Sequence, residues 1–186
     1  MARESSLFRN LEIEAFRAGI TPRTKKSIEW FRDKARELFR GRRMKDRQKI
    51  FDDDALTKKS SPKVETPIGN MYMYFYDAKH KATLPYYDGF PLILMLGPAR
   101  GGFMGLNLHY LPPVLRARVL DAVLARKGGV PKKYLAPAQK HYLFNHVKSK
   151  FALVDKPEWE IATFLPMADW KGTSSDKVYK DSRKML

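Results

Sequence analysis

The sequence predicts an α+β fold, in which a small antiparallel sheet, a meander or partial barrel, packs with two or three helices. Short apolar and aromatic strands separated by polar turns run from Gly69 to His109, and helical patterns flank them on both sides. Hydrophobic residues make up 44% of the 186 residues, which is enough for a core. There are no cysteines, which excludes disulfides, thiolate metal sites and cysteine nucleophiles.

The first predicted element is an extended, basic, amphipathic helix from about Thr21 to Arg43. Its apolar residues share one face and form a candidate partner-binding surface: Ile28, Phe31, Ala35, Leu38 and Phe39. A stripe of arginines runs along one side of the same helix: Arg32, Arg36, Arg40 and Arg43. These arginines can pair with neighbouring acids on an ordinary solvated face, or they can contact a polyanion.

The remaining elements follow in chain order. We predict strands over Met71–Tyr76, Leu92–Leu96 and Phe103–His109, of which the second is apolar throughout and therefore central. Helices are then predicted over Val114–Lys127, Gln139–Lys148 and Pro157–Phe164, with a short strand over Phe151–Val154 and a last helical turn or two from Asp176. The domain organisation that follows is a basic N-terminal arm and helix (1–50), a linker (51–66), a compact domain (67–170) and a polar C-terminal tail (171–186).

Charge is the most informative feature for function. The chain carries a formal net charge of +16, and this excess comes from residues 1–50 and 101–150, while the other two segments balance. Concentrated charge of one sign favours a polyanion, so we expect double-stranded DNA, contacted through its phosphates, or an acidic protein neighbour. The candidate phosphate contacts are Arg32, Arg36, Arg40, Arg42, Arg43, Lys45, Arg47, Arg116, Arg118, Arg126, Lys127, Lys132, Lys133 and Lys140.

Patterns for catalysis and for cofactors are weak. A metal-dependent nuclease needs converging carboxylates, and the strands offer only Asp77 and Asp88. His141 and His146 are five residues apart, which does not suit zinc on a helix. We therefore expect no enzyme, no cofactor, no small-molecule substrate and no metal site. No apolar run reaches the roughly 18 residues of a membrane span, so no membrane association is expected.

The aromatic strand allows two interpretations. Tyr72, Tyr74 and Tyr76 share one face by period-two alternation, while Met71, Met73 and Phe75 take the other face. A tyrosine face covered by a helix is an ordinary core. The same face, if it were exposed beside Arg116 or Lys132, would stack bases as in single-strand binders.

Several segments resemble a known family. They are Met73–Leu92, Gly101–Pro112 and, more weakly, two stretches of the tail, Lys171–Ser175 and Asp181–Lys184. Together they resemble a group of small virion proteins from T-even-type contractile-tailed phages that is associated with DNA end protection and head completion. The resemblance covers residues 70–115 best, and the N-terminal helix matches only at Trp30-Phe31-Arg32.

The resemblance implies a non-enzymatic structural protein at the portal, neck or tail, found in the virion and in the host cytoplasm during assembly. No catalytic residue is carried over from the group. With the charge distribution, it predicts a head-completion or neck protein that uses basic surfaces on DNA or on acidic virion proteins. The alternative is a tail or baseplate assembly protein that docks by its N-terminal helix without touching DNA, and a nuclease is a minor alternative.

Overall fold

A curved antiparallel sheet lies at the centre of the fold. The structure is a computed structural model that describes residues 7–20, 29–31, 33–34, 37, 44–45, 68–125 and 132–186. The predicted linker and most of the predicted N-terminal helix lie outside these residues. Within them the strands are β1 (Met44–Lys45), β2 (Met71–Met73), β3 (Tyr87–Asp88), β4 (Leu92–Ala99), β5 (Gly102–Asn107), β6 (Gln139–Leu143), β7 (Phe151–Val154) and β8 (Trp170–Lys171).

The strand order of the main sheet is β1-β7-β2-β4-β5-β6, and every neighbouring pair is antiparallel. Strands β3 and β8 form a separate two-stranded ribbon. The apolar strand β4 lies in the interior of the sheet, as its composition predicts, although it continues past Leu96 to Ala99 through an irregularity between Met95 and Gly97. The antiparallel α+β class is thus confirmed.

The sheet curls into a partial barrel around an aromatic core. In a flat sheet β5 and β7 would be separated by three strand spacings, about 14 Å. The ring centroids of Phe103 on β5 and Phe151 on β7 are nevertheless only 5.4 Å apart. Residues 144–150 join β6 directly to β7, and Val147 in this connection bridges to Tyr76 beyond the end of β2. The concave face is therefore a closed core.

The alternation predicted for β2 is confirmed. Tyr72 and Tyr74 are buried in the concave aromatic core, whereas Met71 and Met73 are buried in the larger core on the opposite face. That second core contains side chains from most of the helices. The helices with both ends in the described residues are α1 (Leu7–Arg17), α2 (Pro113–Ala125), α3 (Lys132–Leu135), α4 (Trp159–Phe164) and α5 (Ser175–Lys184).

Three element predictions are wrong in detail. The strand predicted over Met71–Tyr76 ends at Met73, and Tyr76 forms an isolated bridge to Val147. The helix predicted over Gln139–Lys148 is strand β6 followed by a 3₁₀ turn over Phe144–His146. The strand forms because it pairs with β5 over its whole length, a long-range interaction that local sequence does not encode. The strand predicted to reach His109 ends at Asn107, whose side chain accepts a hydrogen bond from the His109 backbone N–H and caps a 3₁₀ turn.

The structure does not support an extended basic helix at the N-terminus. Of the predicted helix, residues 29–31, 33–34 and 37 are described and are helical. Phe31 is 4% exposed and belongs to the same core as Leu11 and Ala15 of α1, a helix that the sequence analysis did not predict. Lys34 pairs with Glu14 of α1 at 3.7 Å. This part of the chain therefore packs on the sheet.

The last helix also packs on the core. Ser174 caps α5 by accepting a hydrogen bond from the Lys177 backbone N–H. On its inner face Val178 is fully buried, and the Ser182 hydroxyl donates to the Tyr110 carbonyl at 2.6 Å. The segment predicted to be a polar tail is thus a helix with a buried inner face.

Candidate nucleic-acid interface

A cleft of about 430 Å³ opens beside the curled sheet, between the turn that follows β2, strand β6 and helix α5. Five tyrosines line this tyrosine cleft: Tyr76, Tyr86, Tyr87, Tyr110 and Tyr142. Its volume lies in the range of small-ligand sites. The three tyrosines nearest the mouth are partly exposed, while Tyr110 and Tyr142 are buried and form the floor.

Hydrogen bonds hold the tyrosines at the mouth in place. The Tyr86 hydroxyl donates to Asp181 at 3.3 Å, and the Tyr87 hydroxyl donates to Asp77 at 3.0 Å. The Tyr76 ring packs edge-on against Tyr142, with centroids 4.9 Å apart. The aromatic walls are therefore fixed before any ligand arrives, which lowers the entropic cost of binding.

Basic side chains reach the same cleft. The ammonium of Lys140 lies 4.3 Å from the centroid of the Tyr110 ring, and Lys79, His80 and His141 also line the walls. Burial lowers the pKa of Lys140 below its ordinary value. Among the described residues, no carboxylate lies within 4 Å of the Lys79 or Lys140 ammonium.

The acidic groups near the cleft, by contrast, are engaged. The Asp77 carboxylate binds Lys81 at 2.9 Å, and that of Asp181 binds Lys177 at 3.2 Å. These hydrogen bonds hold the pKa of each carboxyl below its ordinary value. The cleft thus combines aromatic surfaces with ammonium groups that no carboxylate of the described residues pairs, which suits a planar and anionic ligand.

A buried polar network supports the floor of the cleft. The Asp88 carboxylate accepts hydrogen bonds from the backbone N–H groups of Phe90 and Asp169, both at 3.0 Å. Its other oxygen accepts from Asn107 at 3.1 Å and lies 2.7 Å from Nδ1 of His109. Burial alone would raise the pKa of Asp88, but the His109 imidazole and these hydrogen bonds hold it below its ordinary value.

This network engages Asp88, one of the two carboxylates that the nuclease alternative requires. Both Asp88 oxygens already accept hydrogen bonds, and the residue is only 2% exposed. The Asn107 amide also donates to the Tyr142 hydroxyl at 3.1 Å, which ties Asp88 to the cleft floor. Asp88 thus helps to position Tyr142 in the cleft floor. Within the described residues, no group of three metal-ligating side chains comes together. Among the helices of the same residues, none has the length and apolarity of a membrane span.

Comparison with known proteins adds a family. The model of a family described as "Phage T4 terminal DNA protecting protein" matches residues 8–134, about two thirds of the chain. The chain belongs to this family. No curated protein and no solved structure matched in the other two comparisons.

Membership in this family extends the resemblance found from sequence. The match begins within α1 and contains the whole of the predicted N-terminal helix and not only Trp30-Phe31-Arg32, and it does not reach the tail. The matched range includes four tyrosines of the cleft, namely Tyr76, Tyr86, Tyr87 and Tyr110. Lys140 and Tyr142 lie beyond it. The family is a phage family, and its description names protection of terminal DNA and no catalytic activity.

One predicted phosphate contact, Arg116, is wrong. Arg116 on α2 is 4% exposed, and its guanidinium donates to the carbonyl oxygens of His109, Leu111 and Thr163 and to the Tyr179 hydroxyl. These internal acceptors occupy the guanidinium, so it is not available to a phosphate. Arg116 instead links α2 to α4 and α5.

The other predicted basic residues differ in their placement. Arg118 and Lys132 are exposed, and Lys140 is partly buried in the tyrosine cleft. Lys45 and Lys133 lie in a strand and a helix, but their side chains are outside the described part of the structure. The remaining predicted phosphate contacts lie outside the described residues: Arg32, Arg36, Arg40, Arg42, Arg43, Arg47, Arg126 and Lys127.

The predicted partner-binding face is wrong at the one position that the structure describes. Phe31 packs into the core of this chain, so its ring is not presented to a partner. Ile28, Ala35, Leu38 and Phe39 lie outside the described residues. The base-stacking interpretation of β2 is likewise wrong for Tyr72 and Tyr74, which are 0% and 1% exposed.

Sequence reasoning missed most of the tyrosine cleft. It singled out Tyr76 but not Tyr86, Tyr87, Tyr110 or Tyr142. These residues are distant in sequence, and the curl of the sheet and the turn after β2 bring them together. The one signal in the sequence was the adjacent aromatic pair Tyr86-Tyr87 between two predicted strands.

Proposed function

We propose that this chain is a non-enzymatic virion protein that binds and protects the ends of phage DNA. The observation that supports this most directly is its membership in the family of the phage T4 terminal DNA protecting protein. The formal net charge of +16 supports the same function, since a basic chain is attracted to the phosphates of DNA.

The DNA contacts that we propose are phosphate contacts without base reading. They are made by the exposed residues Arg118 and Lys132, by Lys140 in the cleft, and by the other basic residues that the sequence predicts. Arg116 is excluded from these contacts because it is buried. Binding of this type is independent of sequence, as a protein that protects DNA ends requires, and it weakens steeply with salt.

The place of action that we propose is the head-completion or neck region of the virion, as the family resemblance implies, with the host cytoplasm as the site of assembly. Other virion proteins are proposed neighbours, because a protein that holds a DNA end in the particle must itself be held there.

The test is binding of purified protein to linear double-stranded DNA over a salt series, with and without Mg²⁺, followed by electrophoresis of the DNA. A matched hairpin-capped duplex of the same sequence, which has no open end, is the control. We expect tighter binding to the open-ended duplex, a steep fall with salt, and intact DNA. Equal affinity for the capped duplex or a flat salt dependence would count against end binding, and cut DNA would revive the nuclease alternative.

A further inference from the structure

The shape of the tyrosine cleft limits what it can hold. Its volume of about 430 Å³ is that of a small-ligand site, so it admits a single nucleotide and excludes a double helix. Partly exposed rings of Tyr76, Tyr86 and Tyr87 stand at its mouth. Stacking of a base on an aromatic ring contributes about 1–3 kcal/mol and tolerates any base.

The charge in the cleft indicates an anionic group on the same ligand. Lys140 holds a partly buried ammonium above the Tyr110 ring, and among the described residues no carboxylate lies within 4 Å of it. Burying a cation is costly unless an anion accompanies it, and the lowered pKa of Lys140 reflects that cost. A phosphate bound beside Lys140 would supply the missing negative charge.

A DNA end is the part of a duplex that can most easily supply such a ligand. An interior base must lose its pairing partner and two stacking neighbours to leave the helix, whereas a terminal base stacks on one side only, and an overhanging base is already unpaired. The ligand that combines a free base with a phosphate is therefore the last nucleotide of a strand.

We propose that the tyrosine cleft binds the terminal nucleotide of a DNA strand, with the base stacked against Tyr86 and the phosphate beside Lys140. This inference rests on the proposed function and adds a means of distinguishing an end from the rest of the duplex. Phosphate contacts alone are the same at every position along DNA, whereas a single-nucleotide cleft is filled at the lowest cost in lost pairing and stacking where a strand terminates.

Photo-crosslinking tests the proposal. Two duplexes carry 5-iodouracil, one at the terminal nucleotide and one at an interior position, and the full-length protein is irradiated with each. Mass spectrometry then identifies the crosslinked peptide. We expect the terminal probe to crosslink to the segment that contains Tyr86 and Tyr87, and the interior probe not to do so. Crosslinking of the terminal probe only to peptides outside the cleft would overturn the proposal.

Two variants test the same cleft by affinity. Lys140→Met removes the charge and keeps most of the side-chain length, and Tyr86→Ala removes one stacking surface. Each should weaken binding to open-ended DNA about tenfold, and Lys140→Met should lower the salt slope by about one. Lys150→Met, at an exposed lysine outside the cleft, is the control for charge and should change affinity less. Equal effects of the two lysine variants would overturn the proposal.

A base with a phosphate can come from a DNA end or from a free nucleotide. Competition with a free deoxynucleoside monophosphate distinguishes these two sources. The nucleotide should displace the terminal probe only at concentrations far above those of the DNA end, because the duplex adds its own phosphate contacts. Equal affinity for the free nucleotide would identify it as the ligand and overturn the assignment to DNA ends.

If wild-type protein prefers open-ended DNA but the probe never reaches the cleft, this inference fails and the proposed function stands. If open ends are not preferred at all, the proposed function fails.

Discussion

Replacing Arg116 with methionine removes the hydrogen bonds that join three helices. The guanidinium donates to the carbonyls of Leu111 at 2.7 Å, Thr163 at 2.9 Å and His109 at 3.2 Å, and to the Tyr179 hydroxyl at 2.6 Å. A hydrogen bond to a charged group contributes about 1.5–3 kcal/mol, and buried acceptors left without donors add to the loss. Part of this loss is offset because the variant no longer buries a charged guanidinium. We therefore expect the free energy of unfolding to fall by about 3–5 kcal/mol.

The assay is thermal unfolding followed by circular dichroism, with Arg118→Met as the matched control two residues along α2. For a chain of this length, 1 kcal/mol corresponds to roughly 2–4 °C, so the Arg116→Met midpoint should fall by about 10 °C. The exposed Arg118 should change it by no more than about 2 °C. An unchanged midpoint in Arg116→Met, together with weakened DNA binding, would refute the structural role and restore the phosphate contact predicted from sequence.

Three further substitutions test separate parts of the account. Asp88→Asn should destabilise the fold by about 3 kcal/mol, because its amide group would face hydrogen-bond donors. Since the folded-state pKa of Asp88 lies below its ordinary value of 3.8, its contribution is present above that pH and is lost as the pH falls through the folded-state pKa. The acid side of a curve of urea midpoint against pH should therefore flatten in the variant, and an unaltered acid side would contradict the network. Gly102→Ala should destabilise more than Gly105→Ala in urea unfolding, because the new Cβ at 102 would collide with the backbone carbonyl oxygen of Tyr142, whereas at 105 it meets a flexible isoleucine side chain at 2.8 Å. Phe31→Ala should cost about 3 kcal/mol in thermal unfolding, as for any buried phenylalanine, and an unchanged midpoint would return Phe31 to an exposed docking face.

Local sequence patterns predicted the faces of strand β2 and the interior position of strand β4 correctly. The alternation of tyrosine and methionine along β2 placed each residue type on the correct face, and the apolar run of β4 identified an interior strand. Strand β6 could not be predicted in this way. Of its five residues only Tyr142 is buried, and its pairing partner β5 lies more than thirty residues earlier in the chain.

The candidate site was less predictable than the fold. Arg116 looked like a surface cation, although the apolar residues Val119 and Leu120, three and four positions further along the same helix, were a signal that it packs inward. The tyrosine cleft depends on the curl of the sheet, which no single segment specifies. Lys140 was predicted to contact phosphate, but its place above Tyr110 follows only from the tertiary structure.

Protection of DNA from an exonuclease measures the central claim most directly. Linear double-stranded DNA is incubated with an excess of the protein over DNA ends and then with an exonuclease that enters at double-stranded ends, with an excess of closed circular DNA present as an end-free competitor. We predict that the linear DNA stays full length, because the protein occupies its ends and the circle does not remove it. Digestion at the same rate with and without the protein would contradict the account.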